Sequence, residues 1–96
     1  MTDKELYDIV RKALFQTGSC PLNTWYTIVV NGNPMFEAAI NKRGFIHIRK
    51  PIKRVQHKDN TFEYKKWKFN SKKELIYDGI WEGTRPDAKN NKEVRL

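Results

Sequence analysis

The chain has 96 residues, a single cysteine and a net charge of +8 at neutral pH. This length supplies one hydrophobic core, and a hydrophobic content of 39% is typical of a globular protein and not of a disordered one. The single cysteine excludes an internal disulfide, and the N-terminus lacks the basic start and apolar core of a signal peptide. No stretch approaches the ~20 apolar residues of a membrane-spanning helix. We therefore expect a cytoplasmic protein with no membrane partner.

The positive charge is concentrated in one third of the sequence. Between Lys42 and Lys73 there are 12 Lys or Arg residues against two acidic residues, whereas the rest of the chain carries 7 basic and 9 acidic residues. Such a segment is typical of proteins that contact phosphates, although a solvated basic surface is the more common origin of a charge run. The aromatic residues that alternate with these charges favour phosphate contact.

Residues 2–18 predict an amphipathic helix. Thr2 and Glu5 have the spacing of a capping box, and Gly18 provides a helix end. Apolar residues recur at helical spacing, which indicates one face packed against a core. These residues are Leu6, Ile9, Val10, Ala13 and Leu14. The next segment, TWYTIVV, is apolar on both alternating faces and predicts a central strand covered on both sides.

Residues 33–43 permit two interpretations. Asn31-Gly32 is a strong hairpin signal, which makes MFEAAI a return strand. Against this, Asn33 is a good N-cap, Pro34 suits the first position of a helix, and Gly44 suits the position after its end. We favour a short helix over a strand in this segment.

The rest of the sequence predicts three antiparallel strands, GFIHIRKPIKRV, TFEYKKWKF and LIYDGIWEG, joined by turns at HKDN and NSKK. Pro51 indicates an edge or a bend, and Gly79 indicates a bulge. Residues 84–96 have no apolar periodicity and are expected to form a flexible tail. The predicted core comprises Leu6, Ile9, Val10 and Leu14 of the helix with Trp25, Ile28, Val30, Ile46, Ile48 and Leu75.

These elements predict the α+β fold class, in a single domain over residues 1–83. Its order is an N-terminal helix, one central strand, a short second helix and a C-terminal antiparallel β-meander. The flexible tail, residues 84–96, follows the domain.

The segment TFEYKKWKF changes its aromatic phase between Lys65 and Lys66. A bulge at this lysine pair would return all four aromatic rings to one buried face. Without a bulge, one aromatic pair lies on an outer face beside lysines, as in proteins that stack the bases of single strands on aromatic rings. We expect Phe62 and Tyr64 to form such a platform.

The neighbouring segment KRGFIHIRK resembles, over a few residues, the basic-glycine-aromatic strands of RNA-recognition sheets and the GFIHI-like runs of small RNA-binding barrels. It lacks the partner motif of those families, so the resemblance defines no family for the chain. The leading functional hypothesis is a small nucleic-acid-binding protein, for DNA or RNA, that uses the basic meander. Its candidate contacts are Lys42, Arg43, Phe45, His47, Arg49, Lys50, Lys53, Arg54, Phe62, Tyr64, Lys65, Lys66 and Lys68.

No pattern in the sequence indicates an enzyme, a cofactor or a metal site. Asp59, Glu63 and Lys65 have only a chance similarity to the metal-binding acids of nucleases. His47 and His57 lack an acidic residue at a spacing that would orient them, and Cys20 has no evident histidine partner. The alternative hypothesis is a small non-catalytic inhibitor or accessory factor, such as one from a phage or other mobile element, that docks on an acidic surface of a host protein.

Overall fold

The computed structural model describes residues 2–16, 22–56, 61–84 and 92–95, and for residues 53–56 and 92 it describes the backbone alone. These segments contain one helix and six strands. They are α1 (Asp3–Phe15), β1 (Tyr26–Val30), β2 (Asn33–Ile40), β3 (Ile46–Gln56), β4 (Thr61–Phe69), β5 (Leu75–Thr84) and β6 (Lys92–Arg95). The fold is α+β in the broad sense, with fewer helices and more strands than the sequence predicts. No helix in the described segments is long and apolar enough to cross a membrane.

The strands form one mixed sheet in the order β5-β4-β3-β2-β1-β6. β1 and β6 are parallel, and the other neighbouring strands are antiparallel. β1 therefore lies inside the sheet, as its apolar sequence predicts. The turn at HKDN falls on residues 57–60, outside the described segments.

The helix begins and packs as its sequence predicts. The Thr2 hydroxyl accepts a hydrogen bond from the Glu5 amide at 3.2 Å and donates one to the Glu5 carboxylate at 3.1 Å, so Thr2 is the N-cap of the helix. Val10, Ala13 and Leu14 are fully buried against one face of the sheet, which we call the helix face. The strand residues of this core are Tyr26, Ile28, Ala38, Ile40, Ile46, Ile48, Phe69 and Val94.

Most of the predicted core is confirmed, and Trp25 is the exception. Leu6, Val30 and Leu75 pack at the margin of the core, and Ile9 is partly buried. Trp25 instead stacks on Arg49, whose side chain points to the opposite face of the sheet. We call that opposite face the distal face.

The predicted short helix over residues 33–43 is wrong, because Asn33–Ile40 form strand β2. Asn31 and Gly32 both have positive φ angles, 52° and 80°, which is the geometry of the tight hairpin turn that joins twisted strands. The hairpin places Ala38 in the core beside Ile48. The capping pattern at Asn33 is a local preference, and it is outweighed by the strand pairing on both sides of β2.

The predicted flexible tail is wrong for its last residues, because Lys92–Arg95 form strand β6. This strand pairs with β1 in parallel, and Val94 lies opposite Ile28 and is buried. A four-residue strand is too short to show an alternating pattern in sequence, so the sequence alone does not predict it. Residues 85–91 of the predicted tail lie outside the described segments.

The predicted bulge at Gly79 is confirmed. Gly79 has a φ of 87°, and the pairing of β4 with β5 shifts by one residue between Lys65 and Trp67. Near Pro51 the pairing of β3 with β4 is also irregular as far as Gln56. Pro51 therefore marks a bend within an internal strand and not a sheet edge.

Candidate nucleic-acid interface

The aromatic run in β4 is divided between the two faces of the sheet. Trp67 and Phe69 pack on the helix face, where Phe69 is fully buried. The Tyr64 side chain points to the distal face, together with Lys66 and Lys68, because side chains alternate along a strand. The extra residue of the bulge lies in β5 and not in β4, so the alternation of β4 continues unbroken through the lysine pair.

The centre of the distal face is a buried ion pair. The Arg49 guanidinium donates to Glu37 Oε1 from Nε at 3.0 Å and from Nη2 at 2.8 Å. Nη2 also donates to the Thr84 carbonyl at 3.1 Å. Arg49 and Glu37 lie opposite each other in neighbouring strands, and both are buried. The charge of Arg49 is therefore compensated inside the protein.

Two aromatic rings enclose this guanidinium. The ring of Trp25 lies 4.1 Å from Arg49 Cζ, and the ring of Tyr64 lies 4.0 Å from it. Because Trp25 precedes β1 and Thr84 ends β5, residues two strands away on each side of β3 reach one side chain. A flat sheet would place those strands about 10 Å from β3, so the sheet curves towards its distal face here.

This geometry corrects two candidate contacts. Tyr64 is only 1% exposed and Arg49 only 5% exposed, so neither the expected exposed ring nor the expected free cation is present. The sequence offers no direct signal for this outcome, because Glu37 is 12 residues from Arg49 and lies in the segment whose capping pattern predicts a helix. Arg49 and Tyr64 instead form the rigid floor of a cleft on the distal face.

The cleft has a volume of about 340 Å³ and is lined by both aromatic and charged side chains. Trp81, directly opposite Tyr64 in the neighbouring strand, forms one wall and is 50% exposed. Lys66 Nζ lies 4.8 Å from the centre of the Trp81 ring. Glu82 is also among the residues that line the cleft. The cleft thus presents a half-exposed indole beside an ammonium group.

No protein-family model, curated protein or solved structure matches the chain. In the described segments, no cluster of His, Cys, Asp or Glu side chains has the arrangement of a metal site.

The basic residues of the predicted interface do not form one surface. Lys50 and Lys65 lie opposite each other and point to the helix face, because Ile48 and Trp67 of the same two strands do so. Lys66 and Lys68 point to the distal face, where Lys68 forms an ion pair of 3.8 Å with Asp78. The charge run is therefore split by the alternation of the strand that carries it.

Three further candidate residues lie at the end of the sheet where β2 turns into β3. Lys42, Arg43 and Phe45 are exposed in this turn. Asn41 fixes the turn, since its Oδ1 accepts from the amides of Arg43 and Phe45, each at 3.0 Å. These cations lie at the same end of the sheet as Lys68, the last lysine of β4.

Apart from His47, the remaining candidates are Phe62, Lys53 and Arg54. Phe62 belongs to the distal face and is partly buried. The side chains of Lys53 and Arg54 lie outside the described part of the structure.

His47 is held as a neutral imidazole. The amide Nδ2 of Asn41 donates to His47 Nε2 at 2.9 Å, an arrangement that requires Nε2 to be unprotonated. Burial lowers the pKa of His47 below its ordinary value of 6.5, the ammonium groups of Lys66 and Lys68 lower it further, and the Asp78 carboxylate opposes them. His47 therefore contributes no positive charge to the distal face at neutral pH.

The exposed ring that the sequence interpretation missed is Trp81. Its strand was recognised, but the bulge at Gly79 shifts the alternation of β5 and decides which face Trp81 occupies. Gly83 is a second missed residue: a Cβ atom there would lie 2.6 Å from Arg49 Nη1 and 3.3 Å from the Tyr64 ring. A glycine two residues after a tryptophan is the only signal in the sequence for this close approach.

Proposed function

We propose that the protein binds single-stranded nucleic acid on its distal face. One observation supports this most strongly: the Lys66 ammonium group lies 4.8 Å above the half-exposed ring of Trp81, at the edge of a cleft. A base stacked on Trp81 would place its phosphate within reach of this flexible cation, which is the arrangement that single-strand-binding proteins use.

The neighbouring cations extend the proposed interface along one direction. Lys68 lies two residues beyond Lys66 on the same face, and its ion pair with Asp78 is partly exposed at 3.8 Å. Such a pair contributes little to stability, so a phosphate can replace its carboxylate at low cost. Lys42 and Arg43 then continue the path at the end of the sheet. The buried Arg49 and Tyr64 support the cleft and make no contact with the ligand.

The chain offers a matched pair of variants to test the stacking contact. Trp81 and Tyr77 lie in the same strand and are 50% and 53% exposed, but they point to opposite faces. Affinity for fluorescein-labelled single-stranded DNA and RNA oligonucleotides is measured by anisotropy. We expect Trp81→Ala to weaken binding by about 1–3 kcal/mol, or roughly 5- to 150-fold. Tyr77→Ala is expected to bind as the unchanged protein does.

Equal effects of the two variants would contradict the proposal, as would a lack of binding at low salt. Melting curves of both variants serve as the control for folding. Both rings are half-exposed, so neither truncation leaves a large internal cavity.

A second candidate function is binding to a protein surface, and strand β5 is the observation that favours it. β5 is an edge strand of the sheet, and Ile76, Tyr77, Ile80 and Trp81 are all exposed along it. Exposed apolar residues on an edge strand mark a surface that can pair with another chain. Binding of a partner protein that persists at high salt and is lost in Ile80→Lys would favour this function over the first.

A further inference from the structure

The described residues cover the helix face of the sheet only in part. A single helix about 10 Å across cannot cover six strands that span about 24 Å. α1 packs over β1, β2 and β6, and a groove at its margin is lined by residues of α1 and of β1 to β5. The groove has a volume of about 830 Å³, which lies within the range of binding sites for small molecules.

Apolar side chains line the groove along its whole length, including Val30, Met35 and Phe36 near Lys50. At the end away from Lys50, the lining residues are Leu75, the first residue of β5, and Leu6, in the first half of α1. The Asp3 carboxylate accepts a hydrogen bond from the Leu75 amide at 3.0 Å, which fixes the start of the helix here. Ile9 and Trp67 continue the lining towards the middle of the groove.

The opposite end carries two cations. Lys12, one helical turn beyond Ile9, lies on one wall, and Lys50, two residues beyond Ile48, lies on the floor. Both side chains are exposed, and neither has an ion-pair partner among the described residues. Leu75 lies beside Phe69, and Phe69 lies beside Ile46. The distance along β3 from Ile46 to Lys50 is about 13 Å, which gives the length of the groove between its two ends.

We propose that this groove binds an anionic amphiphile, specifically a carboxylate with an unbranched alkyl chain. The carboxylate would lie between Lys12 and Lys50, and the chain would extend past Ile9 towards Leu6 and Leu75. The two cations lie near one end of the groove while apolar side chains line its whole length, a pattern that matches a ligand with a single anionic group and an apolar chain. The site is independent of the distal face.

The test measures the binding of dodecanoate to the whole chain by isothermal titration calorimetry, at concentrations below the micellar concentration of dodecanoate. Dodecyl maltoside and dodecyltrimethylammonium supply the same alkyl chain with a neutral and a cationic head group. We expect dodecanoate to bind most tightly, and Lys12→Gln and Lys50→Gln each to weaken it several-fold. Lys66→Gln, on the distal face, should leave dodecanoate binding unchanged.

A second pair of variants tests the groove without risk to the fold. Met35 lines the groove beside Lys50 and is half-exposed. Met35→Glu should weaken dodecanoate binding, and Met35→Lys should preserve or strengthen it. The proposal is overturned if no amphiphile binds, if all three head groups bind equally, or if sedimentation shows that a second copy of the chain occupies the groove.

Discussion

At the scale of the residue, the ion pair between Arg49 and Glu37 shows that a cation in a basic segment can serve the fold and not a ligand. Arg49 belongs to the basic run, yet its guanidinium is enclosed by two rings and satisfied by Glu37 and Thr84. Desolvating two charges is expensive, so such a pair is stable only when both members are present. Its role here is to join β2, β3 and the end of β5 beneath the cleft.

Removing one partner of this buried pair should therefore lower the free energy of unfolding far more than breaking an exposed pair does. We expect Glu37→Ala to lower the free energy of unfolding by about 3–5 kcal/mol, because Arg49 is left buried without compensation. The control is Glu93→Ala, which breaks the exposed 3.0 Å pair with Arg95 and should cost less than about 1 kcal/mol. Urea unfolding measures the free energy of unfolding of both variants. Equal losses would show that the buried pair contributes no more to stability than the exposed pair.

His47 gives a prediction about pH. In the unfolded chain its pKa is about 6.5, and in the folded protein the pKa is lower. The unfolded state therefore takes up this proton first as the pH falls. The free energy of unfolding should decrease as the pH is lowered through about 6.5, and this loss should stop below the folded pKa.

The comparison of the unchanged protein with His47→Gln isolates this effect, since His57 is present in both. Urea unfolding between pH 7.5 and pH 5.5 should show a smaller decrease in stability for the variant than for the unchanged protein. Parallel pH profiles would mean that His47 has the same pKa in both states.

At the scale of the element, the sequence predicts strongly periodic segments well and pairing-dependent segments poorly. The helix cap at Thr2, the apolar β1 strand and the bulge at Gly79 follow from local preferences that the fold retains. The sequence predicts a helix at Asn33–Ile40 because its helix-capping residues are a local signal, whereas the strand that forms there depends on pairing with β1 and β3. β6 depends entirely on β1 for its structure.

The last strand gives a test of this account. Deleting residues 92–96 should lower the free energy of unfolding, since burial of Val94 alone is worth about 1.5–3 kcal/mol. The matched single substitution is Arg95→Ala at an exposed position of the same strand, which should change stability little. A truncated protein that unfolds at the same urea concentration as the whole chain would show that β6 does not contribute to the core.

At the scale of the whole molecule, the charge is distributed by strand alternation and not by sequence proximity. Consecutive residues Lys65 and Lys66 point to opposite faces, so a basic run gives each face about half of its cations. The sequence therefore predicts that the β3–β4 region is basic, but it does not predict which lysines lie on the same face of the sheet. The cleft itself could not be predicted, because it requires the curvature that brings Trp25, Tyr64 and Thr84 to one guanidinium.

The salt dependence of binding tests the central claim most directly, namely that the distal face holds the phosphates of a single strand. Affinity for a single-stranded oligonucleotide is measured over a range of salt concentrations for the unchanged protein, Lys66→Gln and Lys65→Gln. Each phosphate contact contributes about −0.7 to the slope of log affinity against log salt concentration. We predict that Lys66→Gln makes the slope about 0.7 less negative and that Lys65→Gln leaves it unchanged. A flat slope for the unchanged protein, or equal changes in the two variants, would contradict binding on the distal face.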